Sequence, residues 1–554
     1  MSSTYLTQDL HHLGIIAGVC KKINLIGQID ARITDTGRKV SVGQAVQAMV
    51  LNGLGFTGRA TYLTPEFYES KPVDLLIGEG LEAGDLNSDS LGKALDYLHE
   101  AGITELFAAI SVHALRTYGI DVRFAHLDTT AFSLQGEYED GQHGAQGAQD
   151  NVREEAQVIR VTYGHSKDHR PDLKQAILGM ICANRTSIPI YLGAISGNTS
   201  DKTSLPEIAS LYLDQLSAED ETPILVADSA LYTANTLAQH SDNQWVSRVP
   251  ATINEAKDLL ANTDQEAMRP SQRKGYFFYE TTSSYGDVAQ RWLLVLCEPR
   301  RKAALAGLEK RIQRERTTLD KAANKLQRHV FNCAQDAQKA LQRFNKTYPF
   351  HTIIGQVTAS QRYAQPGRPT ENSATVTDWH LRLTITRDDQ AIAQAQKPLG
   401  KYIIATNVRD EQTLPTEELL TLYKDQNCSV ERGFRFLKDP MFFAHSFFLK
   451  KPSRIMALLM VMGLSLLIYA LAEHHLRQQL LQNNQTIPDQ KGKPTQQPTM
   501  RRVFQMFEGI HILIIHTDTF RQRLVTNVKE VHLQIAALLG EPILKFYTFD
   551  EMTL

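Results

Sequence analysis

The period of apolar and polar positions changes along the chain, and each change marks a boundary. Up to about residue 118 it is helical: 41–52 is amphipathic, 90–100 is closed by Gly102, and 104–118 is stopped by Gly119. At Asp121 the period drops to two. Val122, Phe124, His126, Asp128, Thr130 and Phe132 alternate with Arg123, Ala125, Leu127 and Thr129, which predicts a strand carrying Asp128. After an exposed Gly/Gln-rich loop over 135–157, strands are predicted at 158–163, 175–183 and 188–195, then a helix at 203–216. A wholly apolar strand at 223–227 ends at Asp228, followed by a helix at 233–239 and a strand at 245–249. This succession predicts an α/β fold, a mixed sheet with flanking helices, in which Asp228 lies at a buried strand's carboxyl end, where ligands and catalytic groups collect.

From 251 to 400 the pattern is interrupted. Residues 300–346 hold 13 Lys/Arg against four Asp/Glu with apolar residues at helical spacing. They predict a long basic helix or helical hairpin, either a solvated coiled-coil arm or a phosphate-contacting face. Strand signals at 276–281, 292–297, 352–357 and 379–386 make this a β-rich insertion. After a strand at 402–406 and a helix at 416–422, the stretch 422–438 reads as one helix. It places Lys424, Asn427, Glu431, Arg435 and Lys438 on one face, beside an apolar stripe of Val430, Phe434, Leu437 and Met441. Residues 455–472 carry no charge and reach the length of a membrane span. With Gly463 and Ser465 inside and no second span to pair with, they read as a buried core helix, so no membrane is expected. The segment 482–500 reads as a flexible linker, and 501–554 shows short helices without a chemical signal. The expected domains are a helical module at 1–118, a core divided between 119–250 and 401–475, the insertion at 251–400 and a tail at 476–554.

Composition narrows the class only modestly. A chain of 554 residues, 42% hydrophobic and 22% charged, is globular and multidomain. Its net charge of −2 neither supports nor excludes a nucleic-acid partner, so such a partner must rest on local patches. Cys20, Cys182, Cys297, Cys333 and Cys428 form no disulfide framework, and the residues from Met1 to Tyr5 lack the features of a signal peptide. Both observations favour a reducing, cytoplasmic compartment; nucleoid association is expected only through the family resemblance given below. Gly53-Leu54-Gly55-Phe56-Thr57-Gly58 matches a dinucleotide pattern but follows a helix, not a strand, and is read as a turn.

Three acids stand out: Asp128, Asp228 and Glu431. Carboxylates converging from separate elements can hold two Mg²⁺ ions roughly 3.5–4 Å apart for phosphoryl transfer. Each also has a plainer role open to it: a turn cap for Asp128, a helix N-cap for Asp228-Ser229, and a surface pair with Arg435 for Glu431. His126 beside Asp128 hints at a His/Asp metallohydrolase, but His165-x3-His169 lies in a loop and does not complete one.

His126-Leu127-Asp128-Thr129-Thr130 and Val226-Ala227-Asp228-Ser229-Ala230-Leu231-Tyr232, followed by Tyr423-Lys424-Asp425-Gln426, Glu431 and Lys438, resemble the acidic motifs of DDE insertion-sequence transposases. The chain is most similar to the subgroup with a β-rich insertion before a Y-x2-R-x3-E-x6-K helix. The Glu-to-Lys spacing matches; Tyr423 stands one residue further from Glu431 than the motif has it, and Gln426 replaces its Arg. The resemblance implies an RNase H-like catalytic core and metal ligation by Asp128, Asp228 and Glu431, with two Mg²⁺ or Mn²⁺ ions. It further implies cleavage at the element's terminal inverted repeats, joining to target DNA and a homodimer on paired ends. Lys438, Arg435, Tyr423 and Lys424 would contact DNA; the polar loop with Lys167, Arg170 and Lys174 reads either as a further phosphate contact or as a salt-bridged turn. A non-catalytic DNA-binding protein of the same fold and a nuclease without strand transfer are the alternatives.

Overall fold

The computed structural model describes residues 4–553 except 35–36, 58–60, 135–137, 139–157, 165–169, 217–221, 346–347, 366–373, 426–428, 443–448 and 518–520. The chain divides into two compact units, one of 1–247, 286–288 and 418–554, the other of 248–285 and 289–417.

The first unit is built around the helix Pro452–Gln482. Its apolar window is long enough to cross a membrane, yet 94% of that window is buried inside the protein. The helix packs against Val42–Leu54, Ser88–Glu100, Ile103–Tyr118 and Glu530–Leu539, and against the strand Pro189–Ser196. A helix apolar on every side is stable in water only when covered on every side, and here it is. At Gly463 the approach is so close that an added Cβ would stand 2.4 Å from Leu192 Cδ1.

The sheet of this unit follows from the period-two pattern. The strands run in the order Pro189–Ser196, Lys174–Ala183, Phe124–Leu134, Ile224–Ala227, Trp245–Val249. Among the first three each strand is antiparallel to its neighbour, and the last two continue parallel to Phe124–Leu134. This is the RNase H-like arrangement. Side-chain alternation assigns its faces. Asp128 pairs across the ladder with Met180, and Met180 with Leu192, so these share the face covered by Pro452–Gln482. Gly179, opposite Thr129, shows on the other face, where Ile208 of the helix Asp201–Leu216 fills the space a side chain would take. The expected strand at 158–163 is absent as such: Thr162 makes only an isolated bridge to Gln175.

At the two chain ends the structure departs from the helical reading. Thr4–Asp9 is a strand paired with His511–His516, in a four-stranded antiparallel sheet completed by Arg521–Thr526 and Asp550–Thr553. Helix Leu13–Lys22 packs on Glu541–Thr548, where Gly14 and Gly18 leave room for Phe546, Tyr547 and Ile543. Pairing between residues some 500 positions apart has no local signature, so the sequence could not reveal it. The segment expected as a linker holds a small hairpin, Ile487–Pro488 with Pro494–Thr495. The Gly53–Gly55 turn begins within the end of Val42–Leu54, a helix started by a Ser41–Gln44 capping box.

The second unit has strands in the order Lys401–Thr406, Gln290–Cys297, Tyr276–Ser283, Arg269–Pro270, with Gln290–Cys297 buried throughout. The basic stretch is two helices, Glu298–Gln327 and Ala334–Asn345, which pack on a ribbon of His351–Tyr363 and Thr375–Arg387. Leu308 and Ile312 join Phe350 and Ile392 in one cluster, while Phe331, Ala337 and Leu381 form a second.

Imidazoles of the first unit, the buried His12 and the half-buried His475 among them, make stability depend on pH. His12, stacked on Phe504 and bonded through Nε2 to the Leu54 carbonyl, is pushed down to about 4 by burial, as is His475. The unfolded chain protonates these rings near pH 6.5, the folded chain only near 4. Stability is therefore full above about 6.5 and is lost as pH falls toward 4. In urea titrations His12→Gln should shrink the stability difference between pH 7 and pH 5 by about 1–2 kcal/mol; an unchanged difference would contradict the burial of this ring.

Candidate active site

The parallel pairing of Phe124–Leu134 with Ile224–Ala227 runs His126 with Val226 and Leu127 with Ala227. One step further along the same register are Asp128 and Asp228. Asp228 follows the last residue of its strand, and the register carried on by that one residue would set it beside Asp128, about 4.8 Å away by strand spacing and on the same face. Each is held alike: Asp128 Oδ1 accepts from the Thr129 amide at 2.7 Å, and Asp228 Oδ1 from the Ser229 amide at 2.6 Å. The Asp228 carbonyl accepts from the Leu231 amide at 3.1 Å and the Ser247 hydroxyl at 3.0 Å, which fixes the strand end. Neither plainer role fits. Asp128 lies within a strand, not a turn, and the next helix, Ala234–Gln239, is capped by Thr233, not Asp228.

The stretch expected to be one helix is two, Thr416–Asp425 and Val430–Leu437. Glu431 therefore stands in a first turn, and Tyr423 and Lys424 belong to the preceding helix and do not share its face. The turn between Lys174–Ala183 and Pro189–Ser196 fastens both sides of the break. Arg185 pairs with Asp425 at 2.5 Å, Ser429 Oγ donates to the Thr186 carbonyl at 2.6 Å, and Ser187 Oγ donates to the Ser429 carbonyl at 3.1 Å.

Helix Val430–Leu437 then lies down on the sheet because Gly433 has no side chain. A Cβ there would come 2.8 Å from Met180 Cε and 3.0 Å from Leu466 Cδ2. Met180 is the cross-strand partner of Asp128, so the helix carrying Glu431 covers the face that carries the aspartates. Arg432 anchors it on the other side: it pairs with the buried Glu473, which also takes Arg477 at 3.0 Å and the Met500 amide at 3.0 Å. The sequence gave no sign of this anchor, whose members are far apart in the chain.

The cations expected near the site are placed unevenly. Lys438 Nζ lies 5.7 Å from the ring centre of Phe132, two pleats beyond Asp128 on the same face. Arg435 is exposed and, with Arg432, Phe436, Tyr469, Arg501 and Phe56, lines a hollow of about 280 Å³. Arg501, which the sequence did not single out, pairs there with Asp439 at 2.5 Å. Arg170 is paired with its neighbour Asp172 at 2.7 Å, and Lys174 donates to the Tyr138 carbonyl at 2.5 Å, so both have local partners. Lys167, Gln426, Asn427, His165 and His169 lie outside the described residues.

His126 is fully buried, and neither ring nitrogen has a hydrogen-bond partner. Burial, reinforced by Arg185, pushes it down to about 4, so it is a neutral core imidazole. The candidate ligands are thus three carboxylates, an oxygen set that suits a hard cation. Among the described residues no three His, Cys, Asp or Glu side chains are drawn together into a closed ligand group. The arrangement is open, two aspartates side by side and Glu431 on the covering helix. Mg²⁺ fits such a site, because it keeps several waters and takes one or two carboxylates together with substrate phosphates.

Residues 155–468 match the model of the transposase DDE domain, and residues 5–112 match a domain of unknown function, DUF4277. The first match contains Asp228 and Glu431 and begins after Asp128, whose place rests on the strand register. No curated protein matches the chain. Among solved structures, a cryo-EM structure of the piggyBac transposase synaptic complex with hairpin DNA aligns over 90% of this chain and 78% of its own, at 8% identity and a TM-score of 0.35.

The seating of the helix is directly testable. Gly433→Val should lower the unfolding free energy by about 1–3 kcal/mol through overpacking against Met180 and Leu466. An unchanged urea midpoint would contradict the close approach.

Proposed function

The chain belongs to the DDE transposase family and is a DNA transposase; on that footing we propose that it cuts DNA at the ends of its element and joins them to target DNA, using Asp128, Asp228 and Glu431 as metal ligands. The observation that carries the reading is the register that sets Asp128 beside Asp228, with the Glu431 helix seated over the same face. Two Mg²⁺ or Mn²⁺ ions, when bound, supply activation of a water or a 3′-hydroxyl and stabilisation of the leaving oxygen.

The protein's own groups do the rest. Asp128 and Asp228 gain from any cation placed between them, since their charges repel. Each accepts an amide hydrogen bond that fixes one of its oxygens. Glu431 closes the site from above at a position set by the Arg185–Ser187 turn and the Arg432–Glu473 pair. Arg435, one turn beyond Glu431 on the same helix, and Lys438, two turns beyond it at the helix C-cap, hold the phosphates flanking the scissile bond. A catalytically silent DNA-binding role is not favoured, because all three acids are in place.

The test uses the full chain on DNA bearing the element's own ends, with Mg²⁺. Glu431→Gln and Asp228→Asn should each reduce nicking and strand transfer by at least on the order of 10²-fold while end binding persists. Undiminished activity in either variant would remove that residue from the catalytic set.

A further inference from the structure

We propose that the helix Glu298–Gln327 carries a rail for the phosphate backbone of duplex DNA, made by Lys310, Arg314, Lys321, Lys325 and the capping residue Arg328. At about 100° per residue these five fall within an arc of about 60° on one side of the helix. All five are exposed. From Lys310 to Arg328 the stripe runs about 27 Å, roughly eight base pairs of duplex.

The opposite side of the helix is fixed inward. Leu308, Ile312, Leu319 and Ala323 are its buried residues, and Gln327 Oε1 accepts from the Leu383 amide of the ribbon at 3.0 Å. The stripe therefore faces solvent by construction.

The acids of this helix do not compensate the stripe. Glu309 pairs with Arg387 at 3.0 Å, Glu315 with His351 at 3.0 Å and Asp320 with Arg316 at 3.0 Å, all off the arc. Among the described residues none of the five cations has an ion-pair partner. On a solvated surface helix, charges of opposite sign usually intermix in i,i+4 pairs. Here the carboxylates lie off the arc, each with its own partner, and five cations are left in line, the charge pattern complementary to a polyanion of regular spacing. Lys and Arg at this spacing, without a groove or an aromatic platform between them, read phosphate and not base sequence. The occupant is therefore double-stranded DNA held without regard to sequence.

This inference rests on the transposase reading for its polyanion, and its test separates the two. Binding of the full chain to a duplex bearing the element's ends and to a random duplex of equal length is measured by fluorescence anisotropy over a KCl series. The protein is either the natural chain or the quadruple variant Lys310→Gln, Arg314→Gln, Lys321→Gln, Lys325→Gln; all four positions are exposed, and circular dichroism checks folding. A control variant, Lys491→Gln with Lys493→Gln, removes exposed cations from the hairpin instead. Loss of up to four phosphate contacts should make the slope of log K against log[salt] less negative by about 2–4 for both duplexes, leaving their affinity ratio unchanged. The control should keep the natural slope. A quadruple variant with the natural slope overturns the rail while leaving the transposase reading intact. An equal change per cation in the control also overturns it, because net charge alone would then explain the effect. Failure of the natural chain to bind either duplex would overturn the DNA reading and the rail with it.

Discussion

Two aspartates held side by side on neighbouring strands are the constraint on which the rest of the first unit depends. At about 5 Å their repulsion amounts to between about 1 and 3 kcal/mol, according to whether water or protein lies between them. A hydrophobic sheet would not keep such a pair without compensation, and the fold spends much of its structure holding it. Asp128 is fixed by the ladders on both sides of its strand, Asp228 by a turn that gives its carbonyl two donors. A cation would turn this repulsion into ligation, which is the physical argument for the metal dependence proposed above.

The third acid is positioned by different means. A helix broken before Glu431 needs its new start fixed, and the turn at Arg185–Ser187 does so from both sides. The helix axis is set by Gly433 on Met180 and by the pair of Arg432 with buried Glu473. Glu473 sits on the central apolar helix and also receives the Met500 amide, so the chain's last hundred residues are tied to the placement of Glu431. A segment without chemical residues of its own thereby becomes part of the site's scaffold.

What could be read from the sequence follows a simple physical division. Period two across 122–132 and the apolar run before Asp228 are local consequences of one buried face, and both strands appear where the pattern put them. Glu431, Arg435 and Lys438 were found because they share one helix. The break before Glu431 was missed because Lys424 to Lys438 keeps helical spacing throughout, and the turn that fastens it lies some 240 residues away. The sheet joining Thr4–Asp9 to His511–His516 was hidden for the same reason, since register across such a distance leaves no periodic mark. The basic stretch at 300–346 was visible as composition. That its acids are engaged elsewhere while a cation stripe is left facing outward needed the partners Arg387, His351 and Arg316.

The central claim is that Asp128, Asp228 and Glu431 converge on bound metal, and it is tested most directly by loading the full chain with Fe²⁺ in place of Mg²⁺. Ascorbate and peroxide are then added, and the backbone cuts made by locally generated hydroxyl radicals are mapped by mass spectrometry. The account predicts cuts clustered at 128, 228 and 431 that excess Mg²⁺ suppresses. Mg²⁺-suppressible cuts confined to other parts of the chain would contradict it.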